Sequence, residues 1–124
     1  MYPSDLKYSK EHEWVRMNGN TAEIGVTVFA QESLGDVVFV ELPAVGSSVV
    51  QFEKFGEIES VKAVSDLFSP VEGTIVEVNS AAIDSPEVVN EEPYGIGWLI
   101  KVELSNTDQL DALMDATSYE SILQ

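Results

Sequence analysis

Short segments in which apolar and polar residues alternate, each bounded by turn residues, run through most of the chain. Residues 12–17 and 21–26 form one such pair around an Asn-Gly dipeptide at 18–19, which is typical of tight hairpins. Residues 74–78 alternate in the same way, and 98–104 form a last strand-like segment. Because a period of two indicates a strand with one buried face, the pattern predicts a β-rich fold.

The remaining local signals predict short helices around these strands. Residues 28–34 form a helical segment that ends at Gly35, the residue type favoured just after a helix. Residues 36–42 are nearly all Val and Phe, which predicts a buried strand ended by Pro43. A further strand is predicted at 49–52.

The C-terminal third also carries helical signals. Ser85 and Pro86 predict the cap and first turn of a short helix. From residue 106 the pattern is helical, with Leu110, Leu113 and Met114 on one face. Tyr119, Ile122 and Leu123 indicate a second short turn of helix that packs back. We therefore predict a single domain over residues 1–124, mainly β, with two small antiparallel sheets and peripheral helices. Its core spans about residues 12–104, followed by a C-terminal helical segment over about residues 106–123.

The charge balance narrows the possible partners. Six basic residues face 22 acidic ones, which gives a formal net charge of −16. Nucleic acids and anionic membranes bind basic surfaces, so neither is an expected partner. Basic protein surfaces are the natural complement, although acidity that serves only solubility is an equally good explanation of charge alone. The N-terminal residues lack the features of a secretory or mitochondrial leader, which favours a bacterial cytoplasmic location.

Few residues in the chain have the chemistry of an enzyme active site. The sequence contains no cysteine, which excludes disulfides and thiolate catalysis. The single histidine, His12, lies between two glutamates, but strand neighbours point to opposite faces and so form a poor metal site. The Gly-Ile-Gly segment at 95–97 is followed by a tryptophan rather than a helix, unlike a dinucleotide site. The sequence therefore argues against a self-sufficient enzyme.

Lys62 has the most distinctive surroundings of the five lysines. It lies between two alternating segments, 55–61 and 64–68, with the slim neighbours Val61 and Ala63. This arrangement predicts a lysine displayed at a hairpin tip, where a modifying enzyme could reach it. Taken alone, the geometry favours an ordinary exposed hairpin lysine, because lysines are common in loops.

The segment from Glu59 to Ala63, Glu-Ser-Val-Lys-Ala, resembles the lipoylation site of the glycine cleavage H-protein family. Lys-Glu-His-Glu-Trp-Val at 10–15 resembles the opening strand of that family, and residues 30–43 resemble its second signature. The segments at 90–95 and 97–99 resemble its late signatures. These motifs occur in the family's order over nearly the whole chain.

The resemblance implies a barrel-sandwich fold of the lipoyl-domain type and lipoic acid bound covalently as an amide of Lys62. It further implies a carrier that moves the aminomethyl group of glycine between enzymes and catalyses no step itself. The implied partners are the pyridoxal-phosphate-dependent glycine decarboxylase, the tetrahydrofolate-dependent aminomethyltransferase, the FAD-containing dihydrolipoyl dehydrogenase and the lipoylating enzymes.

The resemblance also suggests roles for four further residues. Glu13 and Asp66 match acidic positions beside the loaded arm, where carboxylates would hold a protonated amine. Glu59 and Gly73 match positions that a lipoylating enzyme reads. The alternatives are that Glu59 is a solvated strand residue and Gly73 a turn glycine with positive φ.

Two other carrier functions compete with this one. A lipoyl domain of a 2-oxoacid dehydrogenase complex normally has Asp-Lys-Ala where this chain has Val61, Lys62 and Ala63. A lipoyl donor that passes the group to other complexes would share every motif, so the sequence leaves that alternative open.

Overall fold

The computed structural model describes residues 2–123, which form two antiparallel sheets with short helices around them. The strands are β1 (Lys7–Tyr8), β2 (Glu13–Asn18), β3 (Thr21–Val26), β4 (Val37–Glu41), β5 (Ser48–Val49), β6 (Lys54–Ser60), β7 (Val64–Phe68), β8 (Gly73–Val78) and β9 (Ile100–Leu104). The α-helices are α1 (Val28–Leu34), α2 (Ser80–Asp84), α3 (Glu87–Glu91) and α4 (Ala116–Ile122), and a 3₁₀ segment covers Thr107–Ala112.

The larger sheet has the strand order β1-β2-β3-β9-β8-β5, and the smaller sheet has the order β4-β6-β7. Two apolar clusters fill the interior, one centred on Ile24, Ile75 and Ile100 and the other on Ile58 and Leu67. Leu42 and Phe55 pack against both clusters and join them. The alternating residues of both sheets thus share one continuous core.

A third cluster attaches the C-terminal helix to the first strands. Tyr8, Trp14 and Tyr119 are fully buried there, and the Tyr8 and Tyr119 rings stack with centroids 4.8 Å apart. This contact places α4 beside the start of β2, where the candidate site lies. Among residues 2–123, the helices are too short to span a lipid bilayer.

Several local predictions are confirmed by these elements. The hairpin β2–β3, the helix α1 with Gly35 at φ 80°, and the hairpin β6–β7 lie where the sequence pattern put them. Each of these signals depends on residues close together in the chain, so contacts with the rest of the fold change these elements little.

The predicted buried strand at 36–42 is partly wrong. Only Val37 and Val40 of β4 are buried, whereas Val38 and Phe39 are about half exposed. A bulge between Val37 and Phe39 disturbs the alternation, and β4 is an edge strand of the three-stranded sheet. Consequently a run that looks uniformly apolar in the sequence presents two of its side chains to solvent.

Three other predictions also need correction. The strand predicted at 49–52 ends at Val49, because Phe52 adopts φ 67° in a turn and its N–H donates to the Ser69 carbonyl. Ser85 does not cap a helix with its side chain, since α3 begins at Glu87 after Pro86. The first helical piece predicted after residue 106 is a 3₁₀ segment that ends at Ala112, so Leu113 is extended and lies outside it, whereas the predicted second helical turn is present as α4. The helix α2 was not predicted at all.

Candidate functional site: the Lys62 hairpin and the adjoining groove

Lys62 occupies the tip of the β6–β7 hairpin, as predicted, and the tip is held by one serine. The Ser60 hydroxyl accepts hydrogen bonds from the Lys62 N–H at 3.1 Å and the Ala63 N–H at 3.2 Å. The Ser60 N–H donates to the Ala63 carbonyl at 2.8 Å, and the Val61 N–H donates to the Asp36 carbonyl at 3.0 Å. The hairpin therefore presents Lys62 on a turn whose backbone is well fixed.

Ser60 is a site residue that the sequence analysis missed. The sequence signal that identifies it is a serine two residues before the displayed lysine, because serine hydroxyls commonly form hydrogen bonds with backbone groups two or three residues ahead. The side chain is buried and works locally, so it stabilises the turn without facing solvent.

The Lys62 side chain is exposed and lies across the end of α1. A Cβ placed on Gly35 would lie only 3.2 Å from Lys62 Cε, so the glycine leaves room for the lysine stem. Within residues 2–123, no carboxylate lies within 4 Å of Lys62 Nζ, whereas Lys54 and Lys101 are both ion-paired. The amine is thus accessible and uncommitted, which suits covalent modification.

A groove of about 610 Å³ begins beside Lys62. One wall is α1 and the other is the free edge of β7, since all five consecutive residues of that strand line the groove. The far end is the start of β2. The lining mixes apolar and acidic side chains, among them Phe29, Ala30, Leu34, Glu13 and Asp66.

Glu13 is a buried carboxyl group at the far end of this groove, 1% exposed. Its Oε1 accepts a 2.6 Å hydrogen bond from the Ser9 hydroxyl, and its Oε2 accepts one at 3.2 Å from the Phe68 N–H. Burial raises the pKa of Glu13 to about 8, against the lowering effect of these two bonds. A cation bound in the groove would therefore contact the Glu13 carboxyl group, which folding has already removed from water.

Asp66 lines the same groove but has different surroundings. Its carboxylate is about half exposed and lies 3.3 Å from Lys54 Nζ, on the outer face of the three-stranded sheet. The structure therefore brings the two predicted acids to one groove without bonding them to each other. Their roles toward a bound amine remain predictions.

His12 is also part of the groove wall and has the left-handed backbone angle φ 73°. Its Nδ1 lies 2.8 Å from the Tyr119 hydroxyl, which lies 2.8 Å from Thr27 Oγ1. Burial lowers the pKa of His12. Through these contacts α4 holds the turn that leads into Glu13, a link between residues 107 positions apart.

Glu59 and Gly73 are not brought together. Glu59 is exposed, one residue before the tip serine, and pairs with Val64. Gly73 lies in the larger sheet, paired with Val49 and Leu104. Because Gly73 lies in strand β8 and lacks a positive φ, the turn interpretation is wrong. It is a position of close approach, where a side chain would collide with the Glu103 carbonyl.

The site can hold an acyl group on Lys62 and shelter what that group carries. The exposed amine supplies the attachment atom, the apolar wall of α1 suits a hydrocarbon chain, and buried Glu13 suits a cation. Over the described range 2–123, no cluster of three or more His, Asp or Glu side chains could bind a metal ion.

Comparison with known proteins gives consistent results. The family model "Glycine cleavage H-protein" matches residues 6–124. A "Glycine cleavage system H protein" of Carboxydothermus hydrogenoformans is 57% identical over 122 residues, covering 98% of this chain and 94% of the relative. That of Symbiobacterium thermophilum is 58% identical over 119 residues, covering 96% and 93%. The crystal structure of a glycine cleavage system H protein from Mycobacterium marinum superposes with a TM-score of 0.89 at 41% identity, covering 98% of each chain.

Proposed function

Because the chain belongs to the glycine cleavage H-protein family and is a lipoyl carrier of the glycine cleavage system, we propose that Lys62 is the residue that carries its lipoate. The predicted lipoyl-domain-like fold is confirmed, and full-length relatives of this kind do not favour the 2-oxoacid dehydrogenase or lipoyl-donor alternatives. The observation that carries the proposal is the exposed Lys62 amine, which makes no ion pair with any residue from 2 to 123 and stands on a turn fixed by Ser60.

Lipoate bound as an amide supplies a dithiolane, which gives redox and group-transfer chemistry to a chain without cysteine. The protein's own residues have three tasks. Ser60 orients the attachment point, and Gly35 leaves room for the lysine stem. The groove between α1 and β7 offers a partly apolar surface that limits the access of water to what the arm carries.

Glu13 is proposed as the principal holder of the carried amine. Its raised pKa means that the carboxyl is mostly protonated near neutral pH when no cation is present. An ammonium group beside it would favour the carboxylate and lower that pKa, so the bound pair is a buried charge-assisted hydrogen bond. Asp66 would add a more exposed and weaker interaction, since Lys54 already competes for it.

The specific partners follow from this assignment. The aminomethyl group of glycine would arrive from the glycine decarboxylase and leave to the aminomethyltransferase, and the dithiol would be reoxidised by dihydrolipoyl dehydrogenase. The chain itself would catalyse none of these steps. Bacterial relatives support a cytoplasmic place for this chemistry. Glu59 and Gly73 remain proposed recognition residues for the lipoylating enzyme.

The test is site-specific lipoylation. The bare protein is incubated with lipoate, ATP and a lipoate–protein ligase, and the product is identified by intact mass and peptide mapping. Lys62→Arg, which keeps the charge, should accept no lipoate, while the matched variant Lys54→Arg should be modified like the wild type. Lipoate found on another lysine of Lys62→Arg would show that the assignment is wrong.

A further inference from the structure

One hydroxyl group of the C-terminal helix contacts both sides of the groove. Tyr119 of α4 is fully buried, and its ring stacks almost parallel on Tyr8, at an interplanar angle of 7°. Its hydroxyl oxygen lies 2.8 Å from Thr27 Oγ1 and 2.8 Å from His12 Nδ1. The first contact leads to the α1 wall of the groove and the second to its Glu13 end, so the two sides meet at this hydroxyl.

Thr27 fixes the start of the α1 wall. It is the N-cap of α1, and its hydroxyl accepts a hydrogen bond from the Ala30 N–H at 3.3 Å. Phe29 and Ala30, in the first turn of this helix, line the groove. A second contact supports the same turn, because the Val28 N–H donates to the Tyr94 hydroxyl at 3.0 Å. Loss of the contact between Thr27 and α4 would therefore loosen the wall without detaching it.

His12 fixes the turn that carries Glu13. Its ring lies against Phe29 of the groove wall, with centroids 4.7 Å apart. Its N–H donates to the Ser9 carbonyl at 3.1 Å, and the Ser9 hydroxyl donates to the Glu13 carboxyl at 2.6 Å. The Thr27 N–H donates to the His12 carbonyl at 3.0 Å, which joins the turn to the wall. A movement of the His12 ring would thus be passed to the carboxyl that is proposed to hold the amine.

The hydrogen bonds of this cluster have one direction that satisfies every proton. Thr27 Oγ1 accepts the Ala30 N–H, and among residues 2–123 the acceptor in reach of its own proton is the Tyr119 oxygen. The Tyr119 proton is then donated to His12 Nδ1, which must be unprotonated. The opposite direction would leave the buried Thr27 proton without an acceptor, which is unfavourable. Burial raises the pKa of Tyr119, so its hydroxyl keeps the proton that this bond requires.

We propose that Tyr119 is a positioning residue for the loaded arm, whose hydroxyl holds the α1 wall and the Glu13 end of the groove at the spacing that keeps water from the carried amine. This inference rests on the proposed function of Lys62 and Glu13. Attachment of α4 does not need the hydroxyl, because a phenylalanine would stack on Tyr8 and pack beside Trp14 equally well. A buried hydroxyl that is unnecessary for attachment, with both of its bonds directed to the groove, therefore indicates a role at the site.

The contact is tested first in the bare protein, with Tyr119→Phe and the matched variant Tyr8→Phe. Tyr8 is equally buried in the same stacked pair, but its hydroxyl donates to the Pro3 carbonyl at 2.6 Å, outside the groove. Because the chain has a single histidine, the ¹⁵N resonance of its Nδ1 is unambiguous. At a pH where the ring is neutral, this resonance should move to the position of a free unprotonated nitrogen in Tyr119→Phe and stay unchanged in Tyr8→Phe.

Amide exchange reports both sides of the groove in the same samples. The Ala30 N–H reports the start of α1, and the Phe68 N–H reports the buried carboxyl group to which it donates. Both should exchange roughly fivefold faster in Tyr119→Phe, the scale of losing one hydrogen bond, and no faster in Tyr8→Phe. Urea midpoints correct for any change in overall stability. Thr27→Val removes the other partner of the same contact and should give the same increase at Phe68, so the test holds even if Tyr119→Phe folds poorly.

The functional readout is the lifetime of the loaded carrier. Each fully lipoylated variant is loaded with the aminomethyl group, separated from the decarboxylase and kept without tetrahydrofolate, where water releases ammonia and formaldehyde and leaves a thiol. Tyr119→Phe should release ammonia roughly fivefold faster than wild type, and Tyr8→Phe at the wild-type rate. An unchanged Nδ1 resonance in Tyr119→Phe, or equal release from the two variants, would overturn the inference. A wild type that takes up no lipoate on Lys62 would instead refute the proposed function.

Discussion

Replacing Glu13 by Gln should stabilise the protein increasingly as the pH rises. The folded carboxyl has a pKa of about 8 because it is buried, whereas in the unfolded chain it titrates near 4.5. Between these values the folded state binds one more proton than the unfolded state, so the stability of the wild type falls with rising pH. Glutamine carries no titrating proton, and its amide can still bond Ser9 and Phe68.

The size of the effect follows from the same shift. Each pH unit in this window costs the wild type about 1.4 kcal/mol, so the full span from 4.5 to about 8 corresponds to roughly 5 kcal/mol. The lowered pKa of His12 makes both proteins lose stability as the pH falls below about 6.5, so this contribution cancels in the difference between Glu13→Gln and wild type. From pH 6.5 to 8 that difference should grow by about 2 kcal/mol.

The assay is urea unfolding at half-unit steps from pH 6.5 to 9, followed by tryptophan fluorescence, to which the buried Trp14 contributes. The difference in unfolding free energy between Glu13→Gln and wild type should grow to about pH 8 and then level off. Glu59→Gln is the matched control, since it removes an exposed carboxyl and should change stability little. A Glu13→Gln difference that stays flat across the range would mean that Glu13 is already charged in the folded state.

Four further outcomes are expected. In the absence of tetrahydrofolate, the loaded double variant Glu13→Gln, Asp66→Asn should release ammonia faster than the loaded wild type, while its lipoylation and reoxidation stay normal. Equal release rates in the two proteins would show that neither acid belongs to the site. Raising salt should increase the Michaelis constant of the aminomethyltransferase for this protein, because its net charge of −16 is screened within about 10 Å at 0.1 M; a constant unaffected by salt would contradict electrostatic docking. Ser60→Ala should cost about 1 kcal/mol of stability and speed amide exchange at the tip, since two backbone N–H groups lose their acceptor; unchanged exchange would show that the hydroxyl does not hold the turn. Gly73→Ala should destabilise by about 1–3 kcal/mol, because its Cβ would meet the Glu103 carbonyl; unchanged stability with defective lipoylation would favour recognition instead.

The local part of this molecule could be predicted from its sequence. The β2–β3 and β6–β7 hairpins and the helix α1 with its terminal Gly35 depend on alternation, turn residues and capping within a few positions. The position of Lys62 at a hairpin tip follows from the same short-range pattern. The family resemblance, carried by motifs spread over the chain, supplied the lipoyl chemistry that geometry alone did not.

Only the tertiary structure decided the environment of these residues. The raised pKa of Glu13 comes from its burial, which the hydrogen bonds from Ser9 and from Phe68, 55 positions away, offset only in part. One interpretation of the sequence made Gly73 a turn glycine, but a side chain is excluded there because the Glu103 carbonyl of a neighbouring strand lies too close. The sequence predicted that Phe39 is buried, but a bulge on an edge strand leaves it about half exposed. Desolvation and close approach depend on atoms distant in sequence, whereas alternation and capping do not.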